Sequence, residues 1–149
     1  MPIHCCTADL VLIAVLSRIP LRNVPTFGLT TMNKEEDLSV RACRLYEELR
    51  RASLDDSILL REEDWKRIEG EFNVLWPDLG RKIYECGVYL SDIELRICWM
   101  ARMHIPPKGM ATVLKRCKAA ISLARARLYE KMTGTKGSGK MFDDFIRQL

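Results

Sequence analysis

Apolar residues recur at helical spacing along most of the chain. Leu38, Ala42, Leu45, Leu49 and Ala52 fall three or four positions apart, with acids and arginines between them, which predicts an amphipathic helix over 34–51 and just beyond. Asp55 and Asp56 suit a break. In EEDWKRIEGEFNVLW a second stripe holds Trp65, Ile68, Phe72, Leu75 and Trp76, and Asp64 with the acids before it favours a helix N-terminus electrostatically. Pro77 fits the first turn of a new helix, DLGRKIYECG, that Gly87 ends. Ser91 and Glu94 form a capping box, so a helix opens there and buries Ile93, Ile97, Met100 and Ala101, with Cys98 beside them. Pro106 and Pro107 stop that helix and start the next, KGMATVL, about two turns long and weakened by Gly109. KAAISLARARLYEKM is a good helix former that Gly134 ends, and FDDFIRQL closes the chain as an amphipathic helix through Phe142, Phe145, Ile146 and Leu149. No alternating β-branched run is bounded by hairpin signals, so the fold class is all-α, a helical bundle preceded by a linker or coiled-coil-like helix.

Residues 1–31 differ from this pattern. An apolar run, ADLVLIAVL, is followed by a proline-broken stretch. The run is far shorter than the ~20 residues that span a bilayer, and with Asp9 at its edge and no preceding basic residue it is a poor signal peptide. A poorly ordered leader over 1–31, an amphipathic linker helix over 32–56 and a helical domain over 57–149 are the expected organisation. At 149 residues, 48% apolar and 30% charged, the chain holds one ordinary domain with attachments.

The net charge of +4 is modest but segregated. Acids outnumber bases from 33 to 75, whereas Arg96, Arg102, Lys108, Lys115, Arg116, Lys118, Arg125, Arg127, Lys131, Lys136 and Lys140 face only Glu130 among the acids from 96 to 140. A basic third is the footprint of a polyanion-binding module, or else a solvated helix surface. Six cysteines are scattered without a C-x-x-C pair; Cys98 and Cys117 fall on apolar helix positions and fit small buried hydrophobes, reduced thiols fit a cytoplasmic setting, and His4-Cys5-Cys6 has no further ligand near it in sequence, so no metal or cofactor is expected.

A short helix near 107–114, a tight turn and a longer basic helix over 118–132 follow the order of a helix-turn-helix, whose second helix enters the major groove. At about 100° per residue, Ile121, Ala124, Leu128 and Met132 form a core face. Ala119, Ser122, Leu123 and Ala126 point the opposite way, with Lys118 at the entrance and Arg125, Arg127 and Lys131 along the flanks. Small outward groups beside cations suit a helix pressed between phosphates.

The stretch LSDIELRICWMARMHIPPKGMATVLKRCKAAISLARARLYEKM resembles the C-terminal helix-turn-helix of the tetratricopeptide-repeat regulators of Bacteroidetes, which is related to LuxR-type and sigma-factor DNA-binding folds. EEDWKRIEGEFNVLWPDLGRKI resembles the family's tryptophan-led helix and its W-P junction, and KGSGKMFDDFIRQL its ending, so the likeness covers 57–149. It implies a DNA-binding transcriptional regulator, not an enzyme, with contacts from Lys118, Ser122, Arg125 and Arg127. The helical wheel adds Ala119, Leu123 and Ala126 as base-facing positions and leaves Arg125 near the core edge, where it either braces the helix or reaches a phosphate. Gly109 departs from the glutamate frequent in LuxR-type scaffold helices, and Cys117 from a capping serine whose loss costs about 1 kcal/mol. The family's tetratricopeptide period of about 34 residues is missing here, as is its membrane span. Double-stranded DNA is the expected partner, with a homodimer through the N-terminal helix and RNA polymerase as further candidates. The competing class is a helical protein–protein interaction module without DNA binding.

GTKGSGKM, residues 134–141, satisfies G-x-x-x-x-G-K. A nucleotide P-loop, however, needs a strand before the loop and a hydroxyl after the lysine, where Met141 stands. The stretch reads instead as a helix stop and a flexible basic connector whose Lys136 and Lys140 touch the DNA backbone. His4 and His104 lie far apart with no evident partners, which leaves no catalytic set.

Overall fold

The structure, a computed structural model, describes the backbone from residue 29 and the side chains from residue 38 to 149. The leader's apolar run and His4-Cys5-Cys6 lie outside the described residues. Within them the chain is all-helical, with no strand. Seven helices follow one another: α1 (Leu29–Leu54), α2 (Glu62–Leu75), α3 (Pro77–Glu85), α4 (Asp92–Arg102), α5 (Pro107–Leu114), α6 (Lys118–Thr133) and α7 (Gly139–Gln148). None of them is long and apolar enough to cross a membrane.

Local chemistry accounts for the boundaries. After α1 the Asp55 carboxylate accepts from both the amide and the hydroxyl of Ser57, which turns the chain. At the start of α2 the Asp64 carboxylate accepts from the Arg61 amide at 2.8 Å. Pro77 occupies the first turn of α3, and Gly87, at φ 74°, lets the chain leave it. At α4 the Ser91 hydroxyl accepts from the Glu94 amide while the Glu94 carboxylate accepts from the Ser91 amide, so two amides left over by helix geometry are satisfied. Helices α4 and α5 end alike: the amides of Ile105 and Arg116 donate back past the helix end, to the carbonyls of Met100 and Ala111, around the left-handed residues His104 and Lys115.

Every residue of the predicted stripe on α2 is buried, as are Ala42, Leu45, Leu49 and Ala52 of α1. These join Ile97, Met100, Met103, Ile105, Met110, Leu128, Phe142 and Ile146 in one core. Fully burying a large apolar side chain contributes roughly 1.5–3 kcal/mol. Phe72 stacks on Trp99 with ring centroids 5.7 Å apart and meets Trp76 at 5.2 Å, which ties α2 to α4. Ile93 departs from its predicted burial and is 37% exposed, because the first turn of α4 extends past the edge of the core.

The N-terminal helix is also more than a linker. It starts at Leu29, inside the segment read as leader, and it packs against α5 and α2. Arg41 forms a two-pronged pair with Glu71, at 3.1 and 2.9 Å, and Arg67 reaches back to Glu48. At the contact with α5, a Cβ on Gly109 would lie 2.8 Å from the Ser53 Cβ and 3.0 Å from Ile105. The missing side chain that weakens α5 as an isolated helix is what lets α1 close on it. A longer side chain at this position would push α1 away.

Candidate nucleic-acid interface

Helix α6 is the centre of the basic third. Its inner face is anchored by Ile121, Leu128 and Met132, with Ala124 half-buried, as the wheel predicts. The turn at 115–117 delivers it from α5. Cys117 takes the N-cap position with no side-chain hydrogen bond, and it is exposed there rather than buried as its apolar spacing predicts, because the cap stands outside the helix's packed face. On the outer face Lys118, Ala119, Ser122, Leu123 and Arg127 are exposed, and Ala126 is half-buried. Arg116 and Ala120 are exposed alongside them, and sequence reasoning did not select either. The clue to Arg116 was the turn itself, which lifts the residue before the cap away from the core.

Arg125 belongs elsewhere. Its side chain is 7% exposed and makes a two-pronged ion pair with Asp143 of α7, whose side chain is 11% exposed. The guanidinium Nε donates to Asp143 Oδ1 at 3.0 Å. Of the two roles open to a residue at the core edge, Arg125 takes the brace, and its burial leaves little of the guanidinium to meet the phosphate that the resemblance implies. Lys131 is exposed but engaged: its ammonium lies 3.0 and 3.2 Å from the two carboxylate oxygens of Glu94, joining α6 to α4. Burial pushes the Glu94 carboxyl up, but the Ser91 amide and hydroxyl and the Lys131 ammonium outweigh it and hold the carboxyl below its ordinary value.

The connector from α6 to α7 is exposed at Gly134, Thr135, Lys136 and Ser138 and comes close to a neighbour at Gly137. Gly134, at φ 74°, ends α6, and the Ser138 hydroxyl caps α7 by accepting from the Met141 amide. A Cβ on Gly137 would fall 2.4 Å from the Tyr129 ring, and one on Gly139 would fall 2.7 Å from the Arg125 guanidinium. Gly137 and Gly139 allow close approach of backbone to side chain, and Gly134 supplies the left-handed end of α6, so each glycine of the P-loop-like stretch has a local structural cause. Lys136 and Lys140 are exposed on this connector and at the start of α7, next in chain to the end of α6.

Exposed cations without an acidic partner are found around α6 and elsewhere, since among the described residues Arg50, Arg51, Arg61, Lys66 and Lys108 are also exposed and make no ion pair. Among the described residues Arg116, Lys118, Arg127, Lys136 and Lys140 have no acidic partner, whereas Lys115 is paired with Asp56 at 3.0 Å and Arg96 with Glu62 at 2.6 Å. Arg102 turns inward, donating to the carbonyls of Ile146 and Arg147 at the end of α7 and lying over the Trp76 ring. The basic third thus separates into cations that hold helices together and cations that face solvent, Lys108 on α5 and the others around α6. Cys98 is buried in the core, and burial pushes its thiol up to about 12, which keeps it protonated. No family model matches the chain, and comparison with curated proteins and with solved structures finds no match.

Proposed function

We propose that the chain is the DNA-binding output domain of a transcriptional regulator, with α5 and α6 acting as a helix-turn-helix and α6 entering the major groove. The observation that carries this reading is the outer face of α6. Small or uncharged residues, Ala119, Ser122 and Leu123, are exposed at its centre, and cations without acidic partners among the described residues, Arg116, Lys118 and Arg127, stand around them. Cations beside a small-residue face suit a helix lying between two phosphate backbones. The resemblance of 57–149 to the Bacteroidetes regulators supports the same reading. Lys136 and Lys140 extend the phosphate-facing surface past the end of α6.

Titration of a labelled random duplex by fluorescence anisotropy, across a salt series, tests this. The Lys118→Ala/Arg127→Ala variant is expected to bind more weakly and to flatten the salt dependence by about 0.9 for each phosphate that is no longer neutralised, with no change in thermal stability. Unchanged affinity at matched salt would remove α6 as the groove helix. No duplex affinity even at low salt would favour the protein-interaction class instead.

A further inference from the structure

We propose that α6 reads sequence through the methyl groups of thymine, with Leu123 as its principal specificity residue. This rests on the reading of α6 as a groove helix. The side chains that read guanine or adenine by paired hydrogen bonds are arginine, lysine, asparagine and glutamine, and those that accept from cytosine are acids. The centre of the exposed face of α6 holds none of these. It holds Ala119, Ser122, Leu123 and, half-buried, Ala126, with the cations Lys118 and Arg127 to either side. Glu130, one turn further on, ends the uncharged stretch and confines reading to the first part of the helix.

Leu123 is 50% exposed, the one large apolar side chain standing out from this face of α6. Its neighbours on the face are small, so a flat partner can approach closely and cover it. In the major groove the only apolar group that a base pair offers is the C5 methyl of thymine. From Ala119 to Ala126 the helix advances by about 10 Å. At the ~3.4 Å rise of duplex DNA that is the length of roughly three base-pair steps. The face is therefore matched to a short thymine-containing run with Leu123 near its middle, and the Ser122 hydroxyl can serve any neighbouring base edge.

The test is selection of bound fragments from random duplex DNA. Anisotropy titrations of the enriched duplex follow, made either with thymine or with deoxyuridine, which lacks only the methyl. Enriched sites are expected to carry thymine over about three consecutive positions, and deoxyuridine to weaken binding about fourfold for each methyl covered, the equivalent of about 0.8 kcal/mol. Leu123→Ala, at an exposed position, is expected to fold normally, to keep the salt dependence and to lose the discrimination. Duplex binding that is indifferent to the methyl overturns the inference and leaves DNA binding standing. Discrimination that survives in Leu123→Ala overturns the assignment to Leu123, and no duplex binding at low salt overturns both.

Discussion

Replacing Asp143 with alanine is expected to destabilise the protein severely. Arg125 and Asp143 are 7% and 11% exposed, share two hydrogen bonds and lie beneath Gly139, whose backbone leaves no room for water to reach the guanidinium from that side. Removing the carboxylate strands a buried positive charge, and breaking such a pair costs about 3–5 kcal/mol. At about 4 °C per kcal/mol for a domain of this size, the melting temperature falls by roughly 12–20 °C. Urea denaturation followed by far-ultraviolet circular dichroism measures the loss. Asp144→Ala, at the exposed neighbouring position, is the control and is expected to stay within about 0.5 kcal/mol of the native chain. Arg125→Met combined with Asp143→Leu removes both charges together, so it is expected to recover most of the stability and to bind duplex DNA as the native chain does. A loss below about 1 kcal/mol for Asp143→Ala would refute the reasoning. Weakened DNA binding by the stable double variant would restore Arg125 as a phosphate contact.

Gly109→Ala would gain about 1 kcal/mol from helix propensity in an open site, but the added methyl meets Ser53 at 2.8 Å, so a net loss of about 1–3 kcal/mol is expected in urea denaturation. Gly70→Ala on α2, with nothing within 4 Å, is expected to stabilise, and equal effects at the two sites would refute the close contact. Lys115→Gly relieves a left-handed backbone at φ 54° worth about 1 kcal/mol and gives up exposed contacts of the ammonium with the carboxylate and the backbone carbonyl of Asp56, so its thermal midpoint should rise; a fall would mean that those contacts outweigh the backbone. Glu71, held down chiefly by Arg41, and Glu94 both have carboxyls below the ordinary value of 4.5 in the folded chain. Their contribution is present above that value and lost as pH falls through the lowered folded values. Glu71→Gln/Glu94→Gln should therefore flatten the loss of stability below about pH 4.5, and an unchanged acid limb would argue against it.

The helix boundaries from α2 to α7 were readable because they depend on neighbours in sequence: Pro77 and Pro107 in first turns, the Ser91–Glu94 box, Gly87 and Gly134 at helix ends. The inner face of α6 was readable for the same reason, since periodicity reports which positions share a side. What periodicity cannot report is what lies opposite. The stripe on α1 was plain, but nothing in it named α5 and α2 as its cover rather than a second chain. Arg125 was placed correctly at the core edge, yet only the fold brings Asp143 to it from α7. Gly109, Gly137 and Gly139 carry a penalty in any propensity scale. Their use lies in contacts with Ser53, Tyr129 and Arg125 that are set by tertiary packing. Trp99, unassigned by any stripe, turned out to stack on Phe72.

The close seat of α1 on α5 also bears on how the chain is made. Arg125 and Asp143, which lock α6 to α7, are 18 residues apart, whereas Asp56 and Lys115, which pair beside the seat of α1 on α5, are 59 apart. Closing the longer loop costs about 1 kcal/mol more in chain entropy. At about 5–20 residues per second, the ribosome takes roughly 3–12 s to travel that distance. For that interval α2 can already cover one side of α1, but the surface around Ser53 waits uncovered for a glycine not yet synthesised, open to a chaperone or to a wrong partner.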